Sequence, residues 1–506
     1  MIDDNQNLYL HDLKMRFAAA EIVFNKNIFN LVLSQGKNYF RVSKQWGQFP
    51  WLKPTDVNTK SKFDGKYYFE FALVLLQIRL LINILLIVRI YIAYLPYRKL
   101  QIPQNDPKYI FLSPCFHLNE FLDDGKSLGI WGDVKFLDTD LAKDAQYILM
   151  PFKESKYSSH KDLCKELKRI EMNAKFKLVH VSSYFSFRLL MRTLFSYVIY
   201  YFLVSINILK LCLVTNFGLV NVTKIGVLLK CLATTNIDSI INFELSRVAL
   251  KETSKTEAIF MTMEGQPWEI GVLLNLNLFN PKVLRYPVSH VPIRPENTQI
   301  FNYLLNANSL NVTKYLISDT LTAQTLSGLG LSESQIYEVE AQRFTRMGNL
   351  GFIYAYDSNV KSVLYVEDYH QEELIELVDI LTKLKFDHDI DLYVSPHPAK
   401  STFSSDLFEI FKDVRSFDEN SFALAIFGST TSAVLDDKYS QLLKVVFIPT
   451  SSKQFSSAPG AFVFSSFSEL EEIMEEVEFV PSLSDSVTRS SDFFRWASLL
   501  GRIKGK

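Results

Sequence analysis

Two short segments about thirty positions apart carry side chains suited to holding an anion: Ser395-Pro396-His397-Pro398-Ala399-Lys400 and Gly428-Ser429-Thr430-Thr431-Ser432. The first supplies an imidazole and an ammonium group. The second opens a helical segment (Ala433, Val434, Leu435) with consecutive hydroxyls, where free backbone donors and side-chain oxygens face the same way and suit a phosphate. A third segment, Met263-Glu264-Gly265-Gln266-Pro267-Trp268-Glu269, concentrates different chemistry. Its glycine permits close backbone approach, Pro267 can begin a helix, Trp268 offers a flat surface for a sugar ring, and two carboxylates flank the group. A carboxylate here can take a proton from a hydroxyl if burial tunes its pKa. The same residues also read as an ordinary helix start, with Glu269 complementing the helix dipole.

Each segment follows a predicted strand. Asp391 to Val394 and the continuous apolar run Phe422 to Phe427 precede the first two, and Ala258 to Thr262 precedes the third. Open α/β sheets bind ligands beyond the carboxyl ends of their strands, so all three loops stand where a ligand is expected. Around them, Ser362 to Val366, Lys444 to Ile448 and Ala461 to Phe464 read as further strands. Leu374, Leu377, Val378, Leu381 and Leu384 mark a helix, and an acidic helix runs from Ser466 to about Val477. In the first half, Tyr109 to Leu112, Val134 to Leu137, Lys177 to Val181, Val283 to Tyr286 and Tyr315 to Ile317 read as strands ending in polar residues. Alternating strands and helices predict parallel sheets with right-handed crossovers. The expected fold is therefore α/β, with two Rossmann-like domains facing a cleft and apolar helical insertions in the N-terminal half.

The expected organisation is an N-terminal region (1–107) with an apolar helix at 71–95, a first Rossmann-like domain (108–344) with an apolar insertion at 184–214, and a second (345–506). No internal sequence repeat is detected. Gln77, Arg79, Asn83 and Arg89 interrupt the first apolar helix, whereas Thr193 to Leu209 is uncharged, with Arg188 and Arg192 before it and Lys210 after. These aromatic-rich helices with basic flanks read either as buried interdomain helices, as elements dipping into a cytoplasmic membrane face, or as spans. Near the carboxyl end, Phe493, Phe494, Trp496, Leu499 and Leu500 form an apolar face that reads either as packing back across the region between the two lobes or as ordinary core packing.

Composition removes several classes of function. The 506 residues are 48% hydrophobic, ample for two or three cored domains, and the net charge of -1 provides no basic footprint for nucleic acid. Cys115, Cys164, Cys212 and Cys231 are scattered without metal-ligand spacing and read as thiols of a reducing compartment. Met1 to Gln6 does not resemble a cleavable signal, so export is not expected. A P-loop and a Gly-x-Gly-x-x-Gly fingerprint are both missing. The carboxylates after His117 (Glu120, Asp123, Asp124) lack the spacing of membrane acyltransferases.

The His-Pro motif, the downstream hydroxyl cluster and two Rossmann-like halves together resemble GT-B glycosyltransferases that use CMP-activated acidic sugars, such as bacterial sialyltransferases and Kdo transferases. The Glu-Gly-Gln-Pro-Trp-Glu element is similar to that of bacterial surface-carbohydrate biosynthesis proteins of O-antigen and capsule loci. The resemblance implies that His397 contacts the nucleotide phosphate, with Ser429, Thr430 and Thr431 holding the same group. Pro398, Lys400, Gly428 and Ser432 complete that candidate set, although His397 also reads as a strand-end histidine bonded to a carbonyl. Sialyltransferases carry an acidic pair followed by glycine as the base. The literal match, Asp123-Asp124-Gly125, is a common turn sequence, so Glu264 is the first candidate base and Asp124 the second. Gln266, Trp268, Glu269 and His290 are candidate sugar or acceptor contacts.

The expected activity is metal-independent, inverting transfer of a nonulosonic or other acidic sugar from a CMP donor to a cell-surface polysaccharide or lipid-linked glycan. No cofactor is required beyond the nucleotide-sugar co-substrate, and the expected place is the cytoplasmic face of the inner membrane, with peripheral membrane contact. A UDP-sugar GT-B enzyme and a non-catalytic, membrane-associated scaffold of polysaccharide assembly are the alternatives.

Overall fold

The computed structural model describes residues 65–95, 107–114, 144–150, 178–212, 237–251, 255–289, 310–340, 362–367, 372–395, 411–413, 424–428, 442–448, 461–476 and 494–504, with isolated residues between them. The chain runs through α1 (Gly65–Tyr94), β1 (Tyr109–Pro114), β2 (Ala145–Met150), β3 (Leu178–His180), α2 (Phe187–Cys212), α3 (Ile237–Lys251), β4 (Ala258–Thr262), α4 (Pro267–Phe279), β5 (Leu284–Val288), β6 (Tyr315–Ile317), α5 (Thr320–Gly328) and β7 (Ile336–Glu338). It continues through β8 (Ser362–Val366), α6 (Glu372–Asp387), β9 (Asp391–Ser395), β10 (Phe411–Asp413), β11 (Leu424–Phe427), β12 (Leu443–Phe447), β13 (Phe462–Phe464), α7 (Phe467–Glu476) and α8 (Phe494–Lys504).

The strands form two sheets, ordered β3-β2-β1-β4-β5-β6-β7 and β10-β9-β8-β11-β12-β13. Every pairing in both is parallel. Counted from its own first strand, each sheet runs 3-2-1-4-5-6, and the first adds a seventh strand at its edge. This is the doubly wound Rossmann order. The expected pair of Rossmann-like sheets with apolar helices in the first half is thus the architecture observed. Three strands, β2, β7 and β10, were not legible in the sequence, and the expected strand at Val134 to Leu137 lies outside the described residues.

The strands are short apolar runs because the sheets are covered on both faces; all five residues of β4 are buried. On one face of the first sheet the parallel register sets four rings at one level: Tyr147 of β2 opposite Phe111 of β1, Phe111 opposite Phe260 of β4, and Phe260 opposite Tyr286 of β5. The rings stack successively at centroid distances of 5.0, 4.9 and 5.1 Å, near parallel. Such pairs add about 0.5–1.5 kcal/mol each beyond area burial.

The last helix covers this ladder. Trp496 of α8 meets Phe260 edge-on at 5.6 Å, and Leu499 and Ile503 join the same core. Glu340, just after β7, accepts the Arg495 and Trp496 backbone N–H groups at 2.7 and 3.1 Å, while the Trp496 indole N–H donates to the Glu340 carbonyl at 3.0 Å. A carboxylate at a helix N-terminus neutralises its free donors and its positive dipole end. Although α8 follows the second sheet in sequence, its apolar face is built into the first domain's core.

Candidate active site

The loop between β4 and α4 is the best-defined candidate site, and its shape follows from five residues. The Met263 N–H donates to the Val288 carbonyl at 2.9 Å, prolonging the ladder beyond β4. Gly265 then takes φ 80°, a left-handed conformation that disfavours any residue with a Cβ. Gln266 is the N-cap of α4 and Pro267 its first residue, where a missing N–H costs nothing. Glu269, at the third helical position, turns back into the loop.

The Glu269 carboxylate fills this loop's concavity. Its Oε1 accepts the Glu264 N–H at 2.9 Å and the Thr262 hydroxyl at 3.3 Å; its Oε2 accepts the N–H groups of Gly265 and Gln266, both at 2.9 Å. Three consecutive backbone donors beside a left-handed glycine form an anion nest, here occupied by the chain's own carboxylate. Glu269 is 0% exposed. Burial pushes its carboxyl well above the usual carboxylate range and the Glu264 charge pushes the same way, while the three backbone donors pull against both.

These contacts correct two sequence expectations. Glu269 was a candidate acceptor contact, but both its oxygens are committed to the backbone, as the helix-start reading of this segment had it. Trp268 was expected to present a flat face to a sugar, yet it is 3% exposed and belongs to the apolar core. Glu264 and Gln266 remain partly exposed on the loop. Thr262, which fastens Glu269 from the end of β4, was not among the predicted residues. Its signal was weak, a lone hydroxyl closing an apolar strand.

This loop borders the place where the first sheet's winding reverses. β4 lies beside β1, so the crevice beyond their carboxyl ends is the topological switch point. In the second sheet the same relation holds between β11 and β8. Gly428 directly follows β11 and is buried. The strands beside it end level, Phe427 opposite Val366 and Val366 opposite Ser395. Glu367, buried after β8, donates its N–H to the Ser395 carbonyl at 3.0 Å. It too escaped the sequence reading, although it directly follows a predicted strand.

His397, Pro398 and Lys400, which follow β9, and Ser429, Thr430, Thr431 and Ser432, which follow Gly428, lie outside the described residues, as do Asp124 and His290. Among the described residues, no group of three or more His, Cys, Asp or Glu side chains could hold a metal ion.

No protein-family model and no curated protein matches this sequence. Several solved structures share its chain path loosely. MnaA of S. aureus with UDP is 10% identical, covering 79% of this chain and 96% of its own, at a TM-score of 0.42. The UDP-GlcNAc 2-epimerase of Methanocaldococcus jannaschii, with UDP-GlcNAc and UDP, is 12% identical, covering 78% and 99%, at 0.45. The glycotransferase of kitacinnamycin is 9% identical, covering 79% and 96%, at 0.38. The fold assignment rests on the two sheets themselves.

At the far edge of the first sheet, Asp319 after β6 repeats the capping pattern. It accepts the Thr322 N–H at 2.7 Å and the Thr322 hydroxyl at 2.8 Å, starting α5. Burial raises its pKa, opposed by both Thr322 bonds. Among the described residues, Asp319 and Glu340 at strand ends of this sheet are thus cap residues, and Glu264 is the one predicted catalytic carboxylate.

Proposed function

We propose that this chain transfers a sugar from a nucleotide donor to a hydroxyl acceptor, with the acceptor at the first sheet's switch point and the donor phosphate at the second. The observation that carries this reading is the equivalence of the two loops. Residues 263–269 follow β4 and residues 428–432 follow β11, and each of these strands is the fourth in a 3-2-1-4-5-6 sheet, beside the first. Two equivalent positions with unlike chemistry suit two unlike ligands.

The chemistry assigns the roles. At β4 the backbone donors are already taken by Glu269, so an incoming phosphate would meet a filled nest. Glu264 on the same loop suits the removal of a proton from a hydroxyl. At β11 a glycine is followed in sequence by four hydroxyl residues, and the segment after β9, a strand separated from β11 by β8, adds His397 and Lys400; neither segment carries a carboxylate. That donor set suits a phosphate.

In the proposed reaction, the acceptor oxygen bonds to the anomeric carbon as its proton passes to Glu264. The bond from that carbon to the donor phosphate oxygen breaks, and the oxygen leaves with the electron pair. His397 and the hydroxyls of residues 429–431 offset the growing charge on the leaving phosphate. Attack from the face opposite the leaving group inverts the anomeric centre. The resemblance to CMP-sugar transferases makes the donor a CMP-linked acidic sugar and the acceptor a surface polysaccharide or lipid-linked glycan.

Calorimetric titration of the full chain with CMP, UDP and GDP tests the donor site. CMP is expected to bind at least about tenfold more tightly than the others, a margin of about 1.4 kcal/mol, and His397→Ala to weaken it. A preference for UDP would replace the donor assignment, and binding of none would overturn the reading. Glu264→Gln should leave nucleotide affinity intact while reducing transfer about 100-fold or more.

A further inference from the structure

The helices α1 and α2 have two unlike faces. Inward, they are joined to each other and to the first domain: Asn83 Nδ2 donates to the Tyr197 hydroxyl at 2.6 Å and to the Leu232 carbonyl at 3.0 Å, and the Tyr201 hydroxyl donates to the Leu76 carbonyl. Arg192 pairs with the buried Glu244 of α3 at 3.3 Å. Buried side chains from Leu76 to Tyr91 and from Phe185 to Ile208 share one core with α3, α4 and the first sheet. Outward, Leu81, Leu85 and Ile92 of α1 and Phe187, Phe195 and Phe202 of α2 are 55–71% exposed. At steps of four and seven or eight residues they fall on one side of each helix, where a water-facing helix would be polar.

The charges on that side have one sign. Arg89, Arg188 and Lys210 are exposed. α2 contains no acidic residue, and the one in α1, Glu70, lies in its first two turns. Basic groups bordering an apolar, aromatic face complement the headgroups and acyl chains of an anionic bilayer surface. We infer that the outward face of the α1–α2 pair beds into an anionic bilayer surface, with both helix axes in the plane of the interface.

The in-plane orientation follows from the same residues. Arg79 and Arg89 are ten residues apart, about 15 Å along the axis, so a span of about 30 Å of hydrocarbon would bury at least one of them. The uncharged run of α2, Thr193 to Leu209, covers only about 25 Å. Protein also covers the inner side of both helices along most of their length, leaving lipid one face rather than a full circumference. This surface is independent of the proposed chemistry and stands or falls separately from it.

Flotation of the purified full chain with vesicles tests it. The chain is expected to float with phosphatidylcholine vesicles containing phosphatidylglycerol and less with phosphatidylcholine alone. The double variant Leu85→Glu/Phe195→Glu should lose vesicle partitioning about tenfold or more with an unchanged far-UV circular dichroism spectrum. A fluorophore attached through Ile78→Cys, Leu85→Cys or Ile92→Cys should report one shallow depth at all three positions. Failure of the wild type to float, flotation of the Glu variant at wild-type level, or a graded depth along α1 would each overturn the inference. So would a vesicle-independent dimer that the Glu variant dissociates, since a second copy would then be the occupant.

Discussion

Replacing Glu269 by alanine tests whether the β4–α4 loop is held by a self-occupied nest. The substitution removes the acceptor of three backbone N–H groups and the Thr262 hydroxyl. The Gly265 N–H is buried and would be stranded, at about 1–3 kcal/mol, whereas those of Glu264 and Gln266 are partly buried and would lose about 0.5–1.5 kcal/mol each. Release of a buried carboxyl returns part of this, leaving about 3 kcal/mol. Hydrogen exchange of a peptide spanning residues 260–270 should therefore accelerate about a hundredfold, since about 1.4 kcal/mol is a factor of ten. Acetate, matching the missing carboxylate, should restore protection in the variant and leave the wild type unaffected. Exchange within threefold of wild type, or equal acetate effects on both proteins, would refute the nest as the loop's organiser.

Three further outcomes are expected. Phe260→Ala removes the ring that stacks on Phe111 and Tyr286 and meets Trp496, and should cost about 3–5 kcal/mol in urea denaturation; a cost below about 1 kcal/mol would dismiss the ladder as a source of stability. Glu340→Ala strips the cap from α8 and should cost about 1–2 kcal/mol, visible as faster exchange of the Arg495 and Trp496 amides while the second sheet keeps its protection. The Glu269 carboxyl is raised in the folded chain, so the stability it contributes is full below its unfolded pKa of about 4.3 and declines as pH rises through the folded value. The stability gap between wild type and Glu269→Gln should therefore narrow toward neutral pH; a widening gap would reverse the assigned direction.

Much of the frame was legible in the chain. Ala258–Thr262, Ser362–Val366 and Leu424–Phe427 fall in apolar runs of strand length, and a strand buried on both faces leaves that signature. The same local rules located α1, α2, the loop after β4 and the strands β9 and β11. β7 (Ile-Tyr-Glu) and β10 (Phe-Lys-Asp) escaped because each is three residues long and includes charged residues, so neither leaves an apolar run.

What the residues could not convey was the partner of each side chain. Trp268 looked like a ligand platform because an indole followed a Gly-Gln-Pro turn, yet its place in the helix directs it into the core. Glu269 differed from Glu264 by nothing visible in composition; the left-handed turn at Gly265 brought three N–H groups onto one carboxylate and not the other. Register across four strands made Tyr147, Phe111, Phe260 and Tyr286 a ladder, and α8 crossed back to cover it. Most strands, helices and polar strand ends could be read along the chain, because they depend on neighbours a few residues away. The tertiary structure alone decided which loops stand beside a switch point and which carboxylate is bound by the backbone, because strand order and long-range contacts join residues that the chain keeps far apart.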